Sequence, residues 1–196
     1  MNLYFLRHAE SVANTKLKDQ FARGDQLSPH GRKQAEAVVS TLVQNVYHKI
    51  FVSPSVRALQ TIAPYLIHTK RIATILPACA EIPSRPKILK NIFSRDKRPK
   101  AFKIPEVYQD LFAPDPRFTA VPMRAESLID VNERLTLFER YIVGTYGSTA
   151  TSLLLVSHGR FGRELIQRLL GRKVSHPENA QLWKITGSMC PFALDS

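Results

Sequence analysis

The chain has 196 residues, which suits one domain, or one domain with an insertion, and allows a substantial core. Lys and Arg exceed Asp and Glu by 28 − 16 = 12, so the protein attracts anions: nucleic acid, acidic lipid surfaces or phosphorylated small molecules. No apolar run approaches the roughly 20 residues of a membrane span, the N-terminus shows no signal-peptide pattern, and Cys79 and Cys190 lack disulfide-framework or zinc spacing, so a cytoplasmic protein is expected.

Residues 2–6 (NLYFL) read as a short strand. Ser28 and Pro29 open a helix, as N-cap and first helical residue, and Ala35, Val38, Val39, Leu42, Val43 and Val46 recur at helical spacing. Residues 49–53 (KIFVS) form a second strand stopped by Pro54. A helix follows from about residue 55, with Val56, Leu59, Ile62, Ala63, Leu66 and Ile67 on one side. Pro64 inside that pattern is expected to kink the helix or end it early. Residues 72–76 read as a third strand. Residues 83–123 hold seven of the chain's thirteen prolines and read as an insertion of loops and short pieces. Within it, residues 85–103 carry eight Lys or Arg against Asp96 alone, either a solvated loop or a basic flap over an anionic ligand.

Leu128, Val131, Leu135, Phe138 and Ile142 alternate steps of three and four, which predicts a helix. Glu126 and Ser127 are expected to start it, with acid favoured near the positive end. Residues 152–156 (SLLLV) are continuously apolar, as in a parallel strand buried on both faces. Phe161, Leu165, Ile166, Leu169 and Leu170 make the next helix, closed by Gly171. Residues 181–186 (QLWKIT) read as a final strand, with a possible edge partner at 189–194. The alternation predicts an α/β domain over 1–196: a mostly parallel sheet with helices on both faces, and 83–123 inserted as a lid.

In such sheets ligands sit beyond the carboxyl ends of the strands. Arg7 and His8 follow strand one, Ser53 follows strand two with Arg57 one turn into its helix, Ala80 and Glu81 follow strand three, and Ser157, His158 and Gly159 follow SLLLV. Taken singly, each is a cap or a surface residue. Together they deliver two histidines, two arginines and a carboxylate to one crevice. The arginines would repel a metal cation but match phosphate oxygens. A neutral histidine nitrogen can attack phosphorus, the other cationic and histidine groups can stabilise the transferring group, and Glu81 can move the leaving-group proton. Glu10 and Ser11 read as caps of the next turn.

At this point a resemblance becomes specific. LRHAES with Asn14 resembles the RHG-type signature of the histidine phosphatase superfamily, the phosphoglycerate mutase-like proteins, with Ala9 for Gly. LSPHGRKQAE (27–36), SPSVRALQTIAPYL (53–66), AESLIDVNERL (125–135) and VSHGRFGREL (156–165) are similar to its further landmarks, in the same order. The resemblance implies a phosphoglycerate mutase-like fold. It implies His8 as the phosphorylated nucleophile, and Arg7, Arg57 and His158 as the rest of the phosphate pocket. It implies Asn14 as a phosphate or substrate ligand, Gly159 as a point of close backbone approach, and Glu81 as the acid, with Glu106 and Asp110 as alternatives. No cofactor and no metal are implied.

The segment after Glu81 (IPSRP) and the Arg160 that follows His158-Gly159 differ from the glycolytic mutases of the family, which favours hydrolysis: a metal-independent phosphomonoesterase acting on a small phosphorylated metabolite. The alternatives are a phosphoprotein phosphatase, a phosphoglycerate mutase, or a catalytically weak phosphate-binding module. Nucleic acid is not the expected partner, because no nucleic-acid-binding motif accompanies the basic segment.

Overall fold

The computed structural model describes residues 1–15, 25–83, 104–117 and 126–185. Six strands form one sheet in the order β4-β3-β2-β5-β1-β6. They are β1 (Asn2–Arg7), β2 (Lys49–Val52), β3 (Ala73–Ile75), β4 (Phe112–Pro114), β5 (Ser152–Ser157) and β6 (Leu182–Ile185). All neighbours are parallel except β6, which runs antiparallel to β1. The helices are α1 (Pro29–Leu42), α2 (Val56–Thr69), α3 (Leu128–Tyr146) and α4 (Gly159–Leu170).

The period-two geometry of a strand explains the unbroken apolar runs. Leu3 and Phe5 of β1, with Leu153 and Leu155 of β5, pack into a core with Val131, Leu135 and Phe138 of α3 and Phe161, Leu165 and Ile166 of α4. Their alternates Tyr4, Leu6, Leu154 and Val156 face a second core with Val38 and Leu42 of α1 and Leu59, Ile62 and Leu66 of α2. Both sheet faces are therefore dry, as the sequence pattern predicts. Among the described residues no helix is long and apolar enough to cross a membrane.

The helix ends follow local chemistry. Ser28 caps α1 by accepting the Gly31 amide, with Pro29 in the first turn. Ser127 and Asp130 form a capping box on α3. Helix α4 stops at Gly171, whose φ of 62° is left-handed.

The structure refines three expectations. Pro64 does not end α2, which runs on to Thr69. The apolar face continuing through Ala63, Tyr65 and Leu66 outweighs the loss of one amide donor. The 83–123 segment, expected as loops and short pieces, contributes one such piece to the sheet, where Phe112–Pro114 forms β4 beside β3. Three residues ending in proline are too short for a period-two pattern, and proline is tolerated on an edge strand. Glu126, expected at the start of α3, lies just before the Ser127 N-cap and is buried, paired with Arg134 eight residues on. The basic run 85–103 and the possible partner strand at 189–194 lie outside the described residues.

Helix α4 lies close against β1. A Cβ added at Gly162 would stand 2.1 Å from the Phe5 ring carbon Cζ, and Phe5 is wholly buried. Gly162→Ala is therefore expected to cost ~1–3 kcal/mol through overpacking, read as a lower chemical-denaturation midpoint with unchanged slope.

Candidate active site

Because β1, β5, β2 and β3 are parallel, their carboxyl ends share one edge of the sheet. Arg7 ends β1 and His8 follows it. Ser157 ends β5, and His158 is the N-cap of α4. Ser53 follows β2, and Arg57 lies in the first turn of α2. The rings of His8 and His158 meet edge to face with centroids 5.1 Å apart.

Arg57 joins them. Its Nε donates to His8 Nε2 at 3.2 Å, and its Nη2 donates to His158 Nδ1 at 3.0 Å. Its Nη1 pairs with Asp25, which also accepts the Val56 amide at 2.9 Å. A guanidinium only donates, so His8 Nε2 and His158 Nδ1 must both be lone-pair nitrogens. The opposite nitrogens agree. His8 Nδ1 lies 2.7 Å from the Ala9 carbonyl, which only accepts, and His158 Nε2 lies 2.7 Å from Ser53 Oγ. Each ring is thus a neutral tautomer with its proton on the far side from Arg57.

Electrostatics reinforce this. Burial, then the charge of Arg57, pushes the His8 pKa down from 6.5 to about 3. Burial, then Arg57 and His8, holds His158 well below its ordinary value. Burial also lowers Arg7, and Arg57 adds to this, while the negative charge of Glu81 opposes it.

The His8 backbone is held from three directions. Its amide donates to the Ser157 carbonyl at 2.9 Å, the next amide, Ala9, donates to Thr61 Oγ1 at 2.9 Å, and its carbonyl accepts Asn179 Nδ2 at 2.9 Å. Arg7 Nη1 donates to the Pro177 carbonyl at 2.8 Å, while Arg7 Nε is buried with no partner among the described residues.

Other expected residues stand differently. Glu81 Oε1 accepts the amides of Ile82 at 2.9 Å and Phe161 at 3.3 Å, which ties it to the first turn of α4. Glu106 and Asp110 are exposed on a turn leading into the amino end of β4. Asn14 is exposed, and its Oδ1 accepts the amide and hydroxyl of Ser11 in a capping box. What approaches Gly159 is a side chain: a Cβ there would meet His176 Cε1 at 2.0 Å. Asp25, Thr61, His176 and Asn179 were not singled out in the sequence. Each contacts the site through a fold neighbour that no local pattern reveals, although Thr61 lies within the SPSVRALQT segment. Among the described residues no cluster of three or more His, Cys, Asp or Glu side chains is placed to hold a metal ion.

A family model for the histidine phosphatase superfamily (branch 1) matches residues 3–192. No curated protein matches the chain in sequence comparison. Among solved structures, the chain is similar to an alpha-ribazole phosphatase from Shigella flexneri, at 19% identity and TM-score 0.62, covering 95% of this chain and 90% of that one. It is also similar to a mycobacterial glucosyl-3-phosphoglycerate phosphatase, at 21% identity and TM-score 0.60 over 95% and 90% of the two chains. An ecdysone phosphate phosphatase from Bombix mori, in complex with tungstate, aligns at 14% identity and TM-score 0.61 over 95% and 89%. At these identities the likeness concerns the fold.

Folding keeps both rings uncharged, whereas an unfolded histidine titrates near 6.5. Below that pH the unfolded chain binds more protons, so stability falls as pH drops, and for His8 the window extends down to about 3. Each ring contributes a slope approaching ~1.4 kcal/mol per pH unit inside its window. Denaturant midpoints from neutral pH to about pH 5 in phosphate-free buffer are expected to show a flatter dependence for His8→Ala than for the wild type. Parallel dependences would contradict the neutral-ring assignment.

Proposed function

This chain belongs to the histidine phosphatase superfamily (branch 1), and on that footing we propose that it is a metal-independent phosphomonoesterase working through a phosphohistidine on His8. The observation that carries the reading is the His8 ring itself: neutral, with Nδ1 engaged by the Ala9 carbonyl and the Nε2 lone pair turned toward Arg57. A nitrogen that keeps its lone pair at neutral pH is a competent nucleophile.

In the proposed reaction Nε2 of His8 attacks phosphorus, and the bond from phosphorus to the ester oxygen breaks. That oxygen takes a proton from the Glu81 carboxyl and leaves as an alcohol. Water then attacks the phosphohistidine, giving its proton to Glu81 and releasing inorganic phosphate with His8 restored. Glu81 suits this role better than Glu106 or Asp110, since it lies beyond the carboxyl end of β3, close enough to Arg7 for their charges to interact, while the other two are exposed on the turn before β4. Arg57 and Arg7 neutralise charge on the transferring group. Arg7 Nε, buried without an acceptor among the described residues, is a donor available to a phosphoryl oxygen. His158, whose ring nitrogens both meet protein atoms, holds Arg57 in place as well as facing the phosphoryl group. Asn14 is proposed as a phosphate or substrate ligand.

A small phosphorylated metabolite is the proposed substrate class. The related structures are named for such substrates: alpha-ribazole phosphate, glucosyl-3-phosphoglycerate and ecdysone phosphate. The basic charge excess favours an anionic ligand, and residues of the 83–123 segment are proposed to cover it.

Hydrolysis of p-nitrophenyl phosphate in EDTA tests the mechanism. The wild type is expected to turn over in chelator, and His8→Ala to lose at least ~10³-fold while keeping its fold. Turnover retained in folded His8→Ala would remove the phosphohistidine.

A further inference from the structure

Glu81 follows a three-residue turn, Pro77–Cys79, and the single residue Ala80. A segment this short does not fix a carboxylate by its own regularity. Its carbonyls, however, are pinned from behind by two other elements. Arg134 Nη1, from α3, donates to the carbonyls of Ala78 at 2.9 Å and Ala80 at 2.8 Å. The Ser157 hydroxyl, at the end of β5, donates to the carbonyl of Cys79 at 2.6 Å.

Arg134 is itself held in bidentate fashion along the edge formed by its Nε and Nη2. Its Nε donates to Glu126 Oε1 at 2.7 Å and its Nη2 to Glu126 Oε2 at 2.6 Å, with both residues buried. The guanidinium carbon stands 5.8 Å from the centroid of the Phe161 ring. Phe161 is the residue whose amide donates to Glu81 Oε1. One buried cation therefore touches the backbone just before Glu81 and the ring of the residue that receives its carboxylate.

We propose that Arg134, oriented by Glu126, is a positioning residue that holds the Glu81 carboxyl against the leaving-group oxygen. The inference rests on the reading of Glu81 as the proton donor. A buried ion pair is a poor source of net stability, because desolvating two charges offsets much of their attraction. What this pair supplies is order. A bidentate fork fixes the plane of the guanidinium, and the plane fixes where the two carbonyls, and hence the Glu81 backbone, can sit. Proton transfer requires that accuracy, since misplacement by about 1 Å can cost ~10²-fold in rate.

A merely structural Arg134 and a positioning one differ in their dependence on the leaving group. kcat/KM reports steps up to phosphorylation of His8, before the hydrolytic step common to all substrates. p-Nitrophenolate departs without much protonation, whereas the phenolate of phenyl phosphate needs more help from an acid. Arg134→Lys keeps the charge but cannot hold Glu126 and both carbonyls at once. It is expected to lose about tenfold or more in kcat/KM on phenyl phosphate and less than about threefold on p-nitrophenyl phosphate. Equal losses on the two esters would overturn the proposal.

Glu81→Gln, measured beside it, separates the two ideas. A leaving-group-dependent loss in Glu81→Gln with none in Arg134→Lys removes only the role of Arg134. Equal losses on both esters in Glu81→Gln remove the acid assignment and the inference with it. Should Arg134→Lys fail to fold, Glu126→Gln, which loosens the fork while keeping its shape, is judged by the same criterion.

Discussion

The guanidinium of Arg57 has three donor edges, and each faces a different acceptor: His8, His158 and Asp25. Most of the site depends on this one group. It fixes the tautomer of both rings, because a donor on one nitrogen forces the proton to the other. It helps keep them neutral by placing a positive charge against them. It also requires three strand ends and one helix start to meet, which a parallel sheet allows and an antiparallel meander would not. The desolvation of two histidines and two arginines works against folding. The offset comes from the dry layers on both sheet faces, where Phe5, Phe138 and Phe161 on one side and Leu59, Ile62 and Leu66 on the other are fully buried.

Residues that lie at the end of an apolar strand were legible before any coordinates. Arg7, His8, Ser53, Arg57 and His158 belong to this group, since a short unbroken apolar run followed by polar side chains marks a carboxyl end. Ser28, Pro29 and Gly171 were legible for another reason, as helix punctuation that works through the nearest few residues. β4 was not legible, because three residues carry no period. Nor was Arg134. It sits beside Glu133 in a helix with charged neighbours, and its burial is decided by how α3 crosses behind residues 78–80. The only local hint was its spacing from Glu126 within AESLIDVNERL. Asp25, Asn179 and His176 are similar cases: their partners lie 32, 171 and 17 residues away in the chain, beyond any local reading.

Two kinds of buried charge therefore coexist near the strand ends. Around His8 the two arginines are only partly matched by protein acceptors, since Arg7 Nε has none among the described residues, which suits an anionic visitor. Behind Glu81 the charge is balanced within the protein, Arg134 against Glu126. The first arrangement is open to exchange with a ligand. The second is closed on itself and suited to holding backbone still.

The place of β1 in the sheet has a consequence for how the protein is made. The first strand in sequence pairs with β5 and β6, the last two described, and with no others. A growing polypeptide thus exposes the apolar β1 with both edges unpaired until β5 has left the ribosome, and with one edge still unpaired until β6 follows. Pairing at such separation is slow. The His8 carbonyl waits as well, since its Asn179 partner lies 171 residues further along the chain. Through most of translation β1 is therefore open to strand-edge aggregation, an exposure that ends only as β5 and β6 pair with it.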